Sequence, residues 1–301
     1  MLGRDLLVAP VIDKSESRDV YLPPFDVQSF NVRDLFSGGD IAIANLETAV
    51  REGAQPSTGG LSFVAHPSTL DGVARAGFDF LSLANNHIHN GREQGVLTAI
   101  RELDERGIAR AGAGSTPADA RAPAYLEANG QQVAVLACSW VGGRFAQGGH
   151  VGANNCRDEL FVQDIAAAAE RAGVVIVYPH WGREYRAAPA PYQRRLADDW
   201  LDAGADMVIG AHSHWAGAIE DREGRLVFYS LGNLVFDQSW SAQTQMGVIL
   251  ELTFSADRLV QVWLHPTVIL DQAQPNLLTT EEDIRRVLDQ MRDGSEGLLP
   301  Y

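Results

Sequence analysis

Five of the eight histidines lie in three short motifs, and each motif directly follows a predicted β-strand. Imidazole nitrogens and amide oxygens bind divalent metals, and imidazole also transfers protons near neutral pH. Because open α/β sheets bind ligands at the carboxyl ends of their strands, we expect the three motifs to meet at one site. The motifs are Asn85-Asn86-His87-Ile88-His89-Asn90-Gly91, Tyr178-Pro179-His180-Trp181-Gly182-Arg183-Glu184-Tyr185 and Gly210-Ala211-His212-Ser213-His214.

The spacing of the last motif suits a pair of metal ions. On extended backbone, His212 and His214 point to the same side, about 6 to 7 Å apart at a rise of ~3.3 Å per residue. Metals in dinuclear hydrolytic sites lie about 3.5–4 Å apart, so two such imidazoles can each bind one ion. His180 alone would equally suit a hydrogen-bonded structural residue, and only its neighbouring motifs favour a ligand.

A fourth predicted strand supplies a carboxylate. Its apolar residues lead into Asn45-Leu46-Glu47-Thr48, so Glu47 follows directly on the strand, although a surface acid would also fit this position. The mixture of His, Asn and Glu is typical of ligands for Mn²⁺, Fe²⁺ or Zn²⁺, whereas a structural zinc site would prefer thiolates.

Short apolar runs alternate with amphipathic segments, which is typical of an α/β fold. We predict strands at 41–44, 78–84, 124–127, 133–138, 174–178 and 206–210, and helices at 93–106, 160–172, 189–203 and 281–291. Antiparallel hairpins are predicted at 217–229 and 247–264. Since no linker or repeat divides the chain, we expect one domain over residues 1–301, with a motif core at 40–237 and C-terminal hairpins and helix at 246–292.

Composition excludes several classes of partner. With 24 Lys and Arg against 39 Asp and Glu, the net charge of −15 gives no footprint for nucleic acid or anionic lipid. No stretch approaches the ~20 apolar residues that span a bilayer, and the first thirty residues lack the pattern of a signal peptide. We therefore expect a cytoplasmic protein as the sequence is written.

Cys138 and Cys156 lack CxxC spacing and are expected to be two ordinary thiols, which leaves the redox compartment open.

The motifs resemble those of the CapA family of capsule and poly-γ-glutamate synthesis proteins, which is similar to the calcineurin-like metallophosphoesterases. The resemblance covers residues 40 to 237 and includes Ser230-Leu231-Gly232-Asn233 in addition to the four motifs above. It implies a four-layer α/β/β/α sandwich with a two-metal site between the sheets. Together with the donor types above, this leads us to expect two divalent ions, Mn, Fe or Zn.

Residue by residue, the resemblance places Asn86, His180 and His212 on one metal and His214 on the other, with His87 as the acid or base near the leaving group. Phosphoesterases usually carry an aspartate where this chain has Asn45, so Glu47 is the expected bridging ligand with Asn45 assisting it. The family often has an acidic residue where Asn90 stands, three positions after the motif histidine. The neighbouring His89 either supports the site from outside or is exposed.

The beginning of the chain departs from this family. CapA-like proteins open with a β-strand that ends in Gly-Asp, whose aspartate binds metal, followed by a stretch similar to Met1-Leu2-Gly3-Arg4. We therefore expect the first strand and one ligand to be absent, because the start was assigned to an internal methionine or because they were lost. Asp5 is the one nearby acid that could substitute. A signal or anchor segment upstream would place the protein outside the cytoplasm.

Three functions fit these residues. The first is metal-assisted hydrolysis of an anionic phosphoester or γ-glutamyl amide, with His87 protonating the leaving group. The second is a non-catalytic accessory role in polymer synthesis or export, in which the metal pocket binds polyglutamate. The third is metal-assisted proton abstraction of the epimerase type, with His87 or Glu184 as base.

Further residues could line the substrate groove, although core packing explains the aromatic ones equally well. They are Trp181, Arg183, Tyr185, His89, Trp215 and Asn233. The loops at 15–36 and 51–60 could cover the site.

Overall fold

Strands and helices alternate through the first half of the chain. The computed structural model describes residues 5–11, 32–54, 62–142 and 144–299, with the backbone alone for 5–11, 33 and 37. The elements up to residue 121 are β1 (Asp5–Val11), α1 (Val32–Gly38), β2 (Ile41–Leu46), β3 (Ala49–Val50), β4 (Val64–Ala65), α2 (Thr69–Arg75), β5 (Phe80–Ser82), α3 (Arg92–Glu105), β6 (Ala109–Ala111), β7 (Ala113–Gly114) and α4 (Pro117–Arg121).

The second half continues this alternation and then becomes antiparallel. Its elements are β8 (Ala124–Ala128), β9 (Gln131–Ser139), β10 (Gly152–Ala153), α5 (Glu159–Ala169), β11 (Val174–His180), α6 (Pro191–Asp202), β12 (Met207–Ile209), β13 (Ile219–Arg222), β14 (Arg225–Phe228), β15 (Met246–Ser255), β16 (Arg258–Leu270), β17 (Gln274–Leu277) and α7 (Glu281–Gly294). In the described ranges, no helix is both long enough and apolar enough to cross a membrane.

Two large sheets contain most of these strands. One has the order β17-β16-β15-β1-β2-β5-β6 and the other the order β13-β14-β12-β11-β9-β8. Strands β1, β2, β5 and β6 are parallel to one another in the first sheet. Strands β9, β11, β12 and β14 are parallel in the second. Each sheet therefore has a parallel block whose carboxyl ends can form a site.

The two sheets face each other across an apolar layer, and helices cover their outer faces. Alternate residues of β2 show the division, since Ile43 packs between the sheets whereas Ala44 packs towards the outer helices. Val96 and Leu103 of α3 join the outer cluster of the first sheet, and Phe161 of α5 joins that of the second. This arrangement confirms the expected four-layer α/β/β/α sandwich.

The first strand of the sandwich is present, so the expectation that it is absent was wrong. Residues Asp5–Val11 form β1 in the centre of the first sheet, antiparallel to β15 and parallel to β2. The run Leu-Leu-Val after Asp5 is the kind of short apolar segment that forms a buried strand. Asp5 stands at the amino end of β1, whereas Glu47 follows the carboxyl end of its neighbour, so Asp5 does not replace a ligand. The predicted covering loop at 15–36 lies largely outside the described residues, as does most of 51–60.

The predicted strands and helices are confirmed, with shifts of a few residues at their ends. The helix predicted at 93–106 is α3, and the hairpin predicted around Asn129-Gly130 is β8 with β9. Asn129 and Gly130 have φ of 53° and 77°, the left-handed conformations that such a tight turn requires. The very short strands β3, β4, β7 and β10 were not predicted, because two residues are too few for a visible hydrophobic period.

Cys138 and Cys156 form a disulfide, so the expectation of two ordinary thiols was wrong. The two Cα atoms are 4.9 Å apart although the residues are 18 positions apart in the sequence. The cause is the path of the intervening loop, which returns to the strand that it left: the N–H of Cys156 donates to the carbonyl of Ser139 at 3.1 Å. Spacing in the sequence does not reveal such a return.

Candidate metal centre

All four predicted motifs follow strands of the two parallel blocks. Strands β2 and β5 of the first sheet end at Leu46 and Ser82, and β11 and β12 of the second end at His180 and Ile209. Because the two sheets face each other, the residues after these ends meet at one edge of the sandwich. The structure thereby brings together the side chains that the sequence analysis proposed as ligands.

The first group of donor atoms surrounds the Nε2 atom of His180. This atom lies 2.7 Å from Oδ1 of Asn86, 3.0 Å from Nδ1 of His212 and 3.5 Å from Oε1 of Glu47. Donor atoms that share one metal at bonds of about 2.1 Å are themselves about 3 Å apart. The four side chains therefore have the spacing of ligands around a single ion.

Glu47 is a fully buried carboxyl group. Its Oε2 accepts a hydrogen bond of 3.1 Å from Nδ2 of Asn45, whose Oδ1 accepts one of 3.3 Å from Asn85. Oε1 has no hydrogen-bond partner among the described residues and faces His180. Burial raises the pKa of Glu47 well above its usual value, which the bond from Asn45 opposes and the charge of Glu184 reinforces. A buried carboxylate with a free oxygen suits a cation, and Asn45 supports it from behind.

The histidines of the centre are neutral in this environment. Burial lowers the pKa of His212 to about 3 and that of His214 to about 4, and neighbouring imidazoles add to both shifts. Burial also lowers the pKa of His180 well below its usual value. Neutral imidazole is the form that binds metal, so the protein holds these side chains in the required state.

A second group consists of Glu184, His212 and His214, whose donor atoms lie within 4.8 Å of one another. The rings of His212 and His214 are 6.0 Å apart, close to the predicted separation. The backbone differs from the extended form that we assumed, since the two residues have φ of 101° and 60°. Left-handed backbone at residues other than glycine is unfavourable, and outside tight turns it clusters at functional sites.

His214 is held in one orientation by Asn233. The Nδ2 group of Asn233 donates to the carbonyl of Thr244 at 2.9 Å, which directs its Oδ1 towards Nδ1 of His214 at 3.1 Å. Nδ1 must then carry the proton, and the lone pair is on Nε2. The ring also stacks on Phe236 at 5.4 Å. Asn233 is completely buried, so it positions His214 and does not line a groove as predicted.

His87 is oriented in a similar way by Asn90. The N–H of Phe63 donates to Oδ1 of Asn90 at 2.7 Å, and Nδ1 of His87 lies 2.9 Å from the same oxygen. Nδ1 is therefore the donor, and Nε2 lies 4.0 Å from Oε1 of Glu47. Burial lowers the pKa of His87. Its ring stacks on that of Phe63, with centroids 3.9 Å apart.

The remaining predicted residues have different surroundings. Trp181 is fully buried, stacks on Trp200 at 5.3 Å and donates to the carbonyl of Tyr229, so it belongs to the core and lines no groove. Tyr185 is partly exposed with its ring 6.0 Å from His214, and Arg183 is exposed. The partly exposed His89 lines a cavity together with Asn90, and Trp215 lies 6.4 Å from Tyr185.

Sequence reasoning missed several residues of this region. Phe63 and Phe236 stack on the histidines, Trp240 lies 6.3 Å from Tyr185 with 58% of its surface exposed, and Arg144 lines the cavity beside Asn86. These residues lie in irregular segments without hydrophobic period. Their approach to the centre depends on tertiary structure, and the sequence carries no local signal for it.

Known relatives share most of this chain. It is 29% identical over 280 residues to the capsule biosynthesis protein CapA of Bacillus anthracis, which covers 89% of this chain and 68% of the relative. It is 32% identical over 215 residues to the PGA biosynthesis protein CapA of Bacillus subtilis, an alignment that covers 70% of this chain and 57% of the relative. A protein named as a probable polyglutamine synthesis accessory protein, from Mycobacterium tuberculosis, is 28% identical over 66% of this chain and 56% of its own. The chain thus spans little more than half of the last two.

Solved structures share the fold at low sequence identity. A novel phosphatase of Mycoplasma pneumoniae aligns with a TM-score of 0.57 and 11% identity over 89% of this chain and 95% of its own. A hypothetical protein from Thermus thermophilus aligns with a TM-score of 0.54 and 16% identity over 87% of this chain and 98% of its own.

A family comparison covers the sandwich from β1 to the segment that orients His214. Residues 5–238 match the family described as bacterial capsule synthesis protein PGA_cap. Since this match includes every motif of the centre and well over half of the sequence, the chain belongs to the PGA_cap family of bacterial capsule synthesis proteins.

Proposed function

We propose that the protein is a metal-dependent hydrolase that cleaves a phosphoester or amide bond in an anionic substrate. One observation carries this proposal: the fully buried Glu47 has an oxygen without a hydrogen-bond partner in the described structure, and that oxygen faces His180 at 3.5 Å. A lone buried carboxylate is costly unless a cation compensates it. The neutral donors around it have the types and spacing that a divalent metal requires.

Two ions would have different surroundings in this centre. One would be held by Glu47, Asn86, His180 and His212, and the other by His214 with Glu184 at the exposed side. When bound, a pair of divalent ions supplies an activated water and polarises a phosphoryl or carbonyl oxygen.

His87 would move the proton in this reaction. Its Nδ1 is held by Asn90, so Nε2 is the atom that can exchange a proton at the centre. The stacking of its ring on Phe63 limits rotation and keeps Nε2 in place. We therefore assign His87 the protonation of the leaving group.

The substrate class is inferred from the relatives. Proteins named for capsule, PGA and polyglutamine synthesis align with most of this chain. An amide of a glutamyl polymer is accordingly the first substrate to test, with phosphoesters as the second.

Metal analysis and turnover test the proposal together. The full chain is stripped with a chelator, reloaded with Mn²⁺, Fe²⁺ or Zn²⁺, and assayed on p-nitrophenyl phosphate, bis-p-nitrophenyl phosphate and oligo-γ-glutamate. We expect bound metal and metal-dependent hydrolysis of at least one substrate, both reduced in His212→Ala. His66→Ala is the matched control, because His66 is an exposed imidazole that contacts Ser68. Absence of bound metal, or equal loss in both variants, would contradict the proposal.

An accessory role is the second candidate, favoured by the name of the mycobacterial relative. In that case the metal-loaded protein binds γ-glutamyl oligomers and leaves every ester and amide intact. Proton abstraction is distinguished in the same experiment, since it incorporates deuterium from D₂O into substrate that is not hydrolysed.

A further inference from the structure

A cavity of about 220 Å³ lies beside the metal centre and has no part in the mechanism above. The motif after β5 contributes Asn86, His89 and Asn90 to its lining, and the loop between β9 and β10 contributes Arg144 and Phe145. Because Asn86 also contacts His180 at the centre, a group in this cavity is adjacent to the bond that the centre would cleave.

The lining is unusual in a protein of net charge −15. Its described polar side chains are amides, one imidazole and the guanidinium of Arg144, and none is a carboxylate. Arg144 forms no ion pair within the described part of the chain, although acidic residues outnumber basic ones overall. The Nε2 atom of His89 is buried and also has no partner there. A guanidinium without an ion-pair partner, beside a cavity lined by no carboxylate, suits an anion.

The backbone of Arg144 is held in place from two sides. Its carbonyl accepts a hydrogen bond of 3.3 Å from the N–H of Ala153. Gly152 permits this close approach, because a Cβ atom there would lie 2.7 Å from the same carbonyl oxygen. On the other side, Gly142 has φ of +102°, and a Cβ atom would lie 3.0 Å from Cα of Asn86. The loop is therefore packed directly against a candidate ligand.

The disulfide between Cys138 and Cys156 closes the base of this loop. The loop consequently presents Arg144 from a restrained backbone, and less conformational entropy is lost when a ligand binds.

We infer that this cavity is an anion subsite of the metal centre, in which Arg144 binds a carboxylate or phosphate group of the substrate. The inference rests on the proposed function for the position of the scissile bond, but the binding itself does not depend on turnover. Electrostatics favour this binding, because an anion in the cavity would form an ion pair with Arg144, the cationic side chain of the described lining. The aromatic ring of Phe145 provides an apolar wall for the carbon chain that carries the anionic group.

Calorimetric titration of the metal-loaded full chain tests the subsite. The probes are glutarate, its uncharged diamide and inorganic phosphate. Because bound metal also attracts anions, the informative quantity is the difference between wild type and Arg144→Gln. We expect the variant to bind glutarate or phosphate about tenfold or more weakly, because one charge-assisted hydrogen-bonding group is lost. If only the affinity for glutarate depends on Arg144, the subsite binds a carboxylate group. If only the affinity for phosphate depends on it, the subsite binds a phosphate group.

Two further variants control the result. Arg144→Lys keeps the charge and should retain part of the affinity. Arg258→Gln removes the same charge at an exposed position, the first residue of β16, near the amino end of β1 and away from the site. Equal affinity of Arg144→Gln and wild type for both anions, no anion binding by wild type, or equal loss in Arg258→Gln would overturn the subsite. If Arg144-dependent binding is found without any hydrolysis, the subsite stands and the proposed hydrolase function fails.

Discussion

Nδ1 of His87 and Oδ1 of Asn90 are 2.9 Å apart, and this contact determines which nitrogen of the imidazole exchanges a proton. The same atom accepts a hydrogen bond from the N–H of Phe63, which identifies it as the oxygen of the amide. An amide oxygen carries no hydrogen, so Nδ1 of His87 must be the donor. The amide at position 90 leaves the imidazole without a negative partner on Nδ1. Burial then lowers the pKa of His87.

Replacing Asn90 with Asp should raise the pKa of His87, because a carboxylate beside Nδ1–H stabilises the imidazolium. If His87 protonates the leaving group, activity falls as pH rises through this pKa, so the alkaline limb of the kcat profile should move up by about one pH unit or more. The profile of Asn129→Asp, which adds the same charge at an exposed turn, should remain that of wild type. An unshifted limb in Asn90→Asp would exclude His87 as the acid.

Asn233→Ala should weaken metal binding at His214. Without Oδ1 of Asn233 at 3.1 Å, the imidazole loses the partner that fixes its tautomer. Removing such a partner typically lowers metal affinity 10–100-fold. Metal content and competition with a chelator report the change. Asn276→Ala is the matched control, since the Nδ2 group of Asn276 donates to the carbonyl of Gln274 within β17. Equal affinities in the two variants would show that Asn233 has no positioning role.

Reduction of the disulfide should destabilise the fold. The bridge closes a loop of 18 positions, and a loop of this length contributes about 3 kcal/mol by restricting the unfolded chain. Denaturant unfolding with and without reductant measures the loss. The double variant Cys138→Ser and Cys156→Ser should match the reduced protein and should not respond to reductant. If reductant shifts both proteins equally, the effect does not come from this bridge.

Acid should destabilise the metal-free protein through its buried histidines. His212 and His214 have an ordinary pKa of 6.5 when unfolded and values of about 3 and about 4 when folded. Between these limits the unfolded chain binds more protons, so the stability from each neutral imidazole is present above pH 6.5 and is lost as pH falls. The slope is up to about 1.4 kcal/mol per pH unit for each group.

Glu47 acts in the opposite direction. Its raised pKa gives stability that is present below the ordinary value of 4.5 and is lost as pH rises towards the folded value. We therefore expect the free energy of unfolding, measured in the presence of a chelator, to fall less steeply between pH 7.5 and 5 in His212→Asn than in wild type. In Glu47→Gln it should fall more steeply. His66→Asn, at an exposed imidazole, should follow wild type. Parallel curves for His212→Asn and wild type would contradict burial as the cause.

Much of the candidate centre could be predicted because its donor side chains follow strands. Asn86, His180 and His212 each stand in or directly after an apolar run, and parallel sheets bring such positions together whatever their separation in sequence. The residues that were missed reach the site differently. Arg144 and Phe236 lie in irregular segments whose paths depend on packing, and the disulfide depends on a loop that returns to its own strand. Asn233 was found in a motif, but burial decides between positioning and substrate contact, and burial is a property of the fold.

His212 belongs to both groups of donor atoms, and its Nδ1 lies 3.0 Å from Nε2 of His180. A neutral imidazole has a single lone pair, so His212 can serve one group at a time. A metal bound by the group with Glu47 would leave Glu184 and His214 as the remaining donors of the other group. If the protein binds metal as proposed, the two positions would therefore differ in affinity: an ion held with Glu47 would be bound more tightly, and an ion beside Glu184 and His214 would exchange more readily.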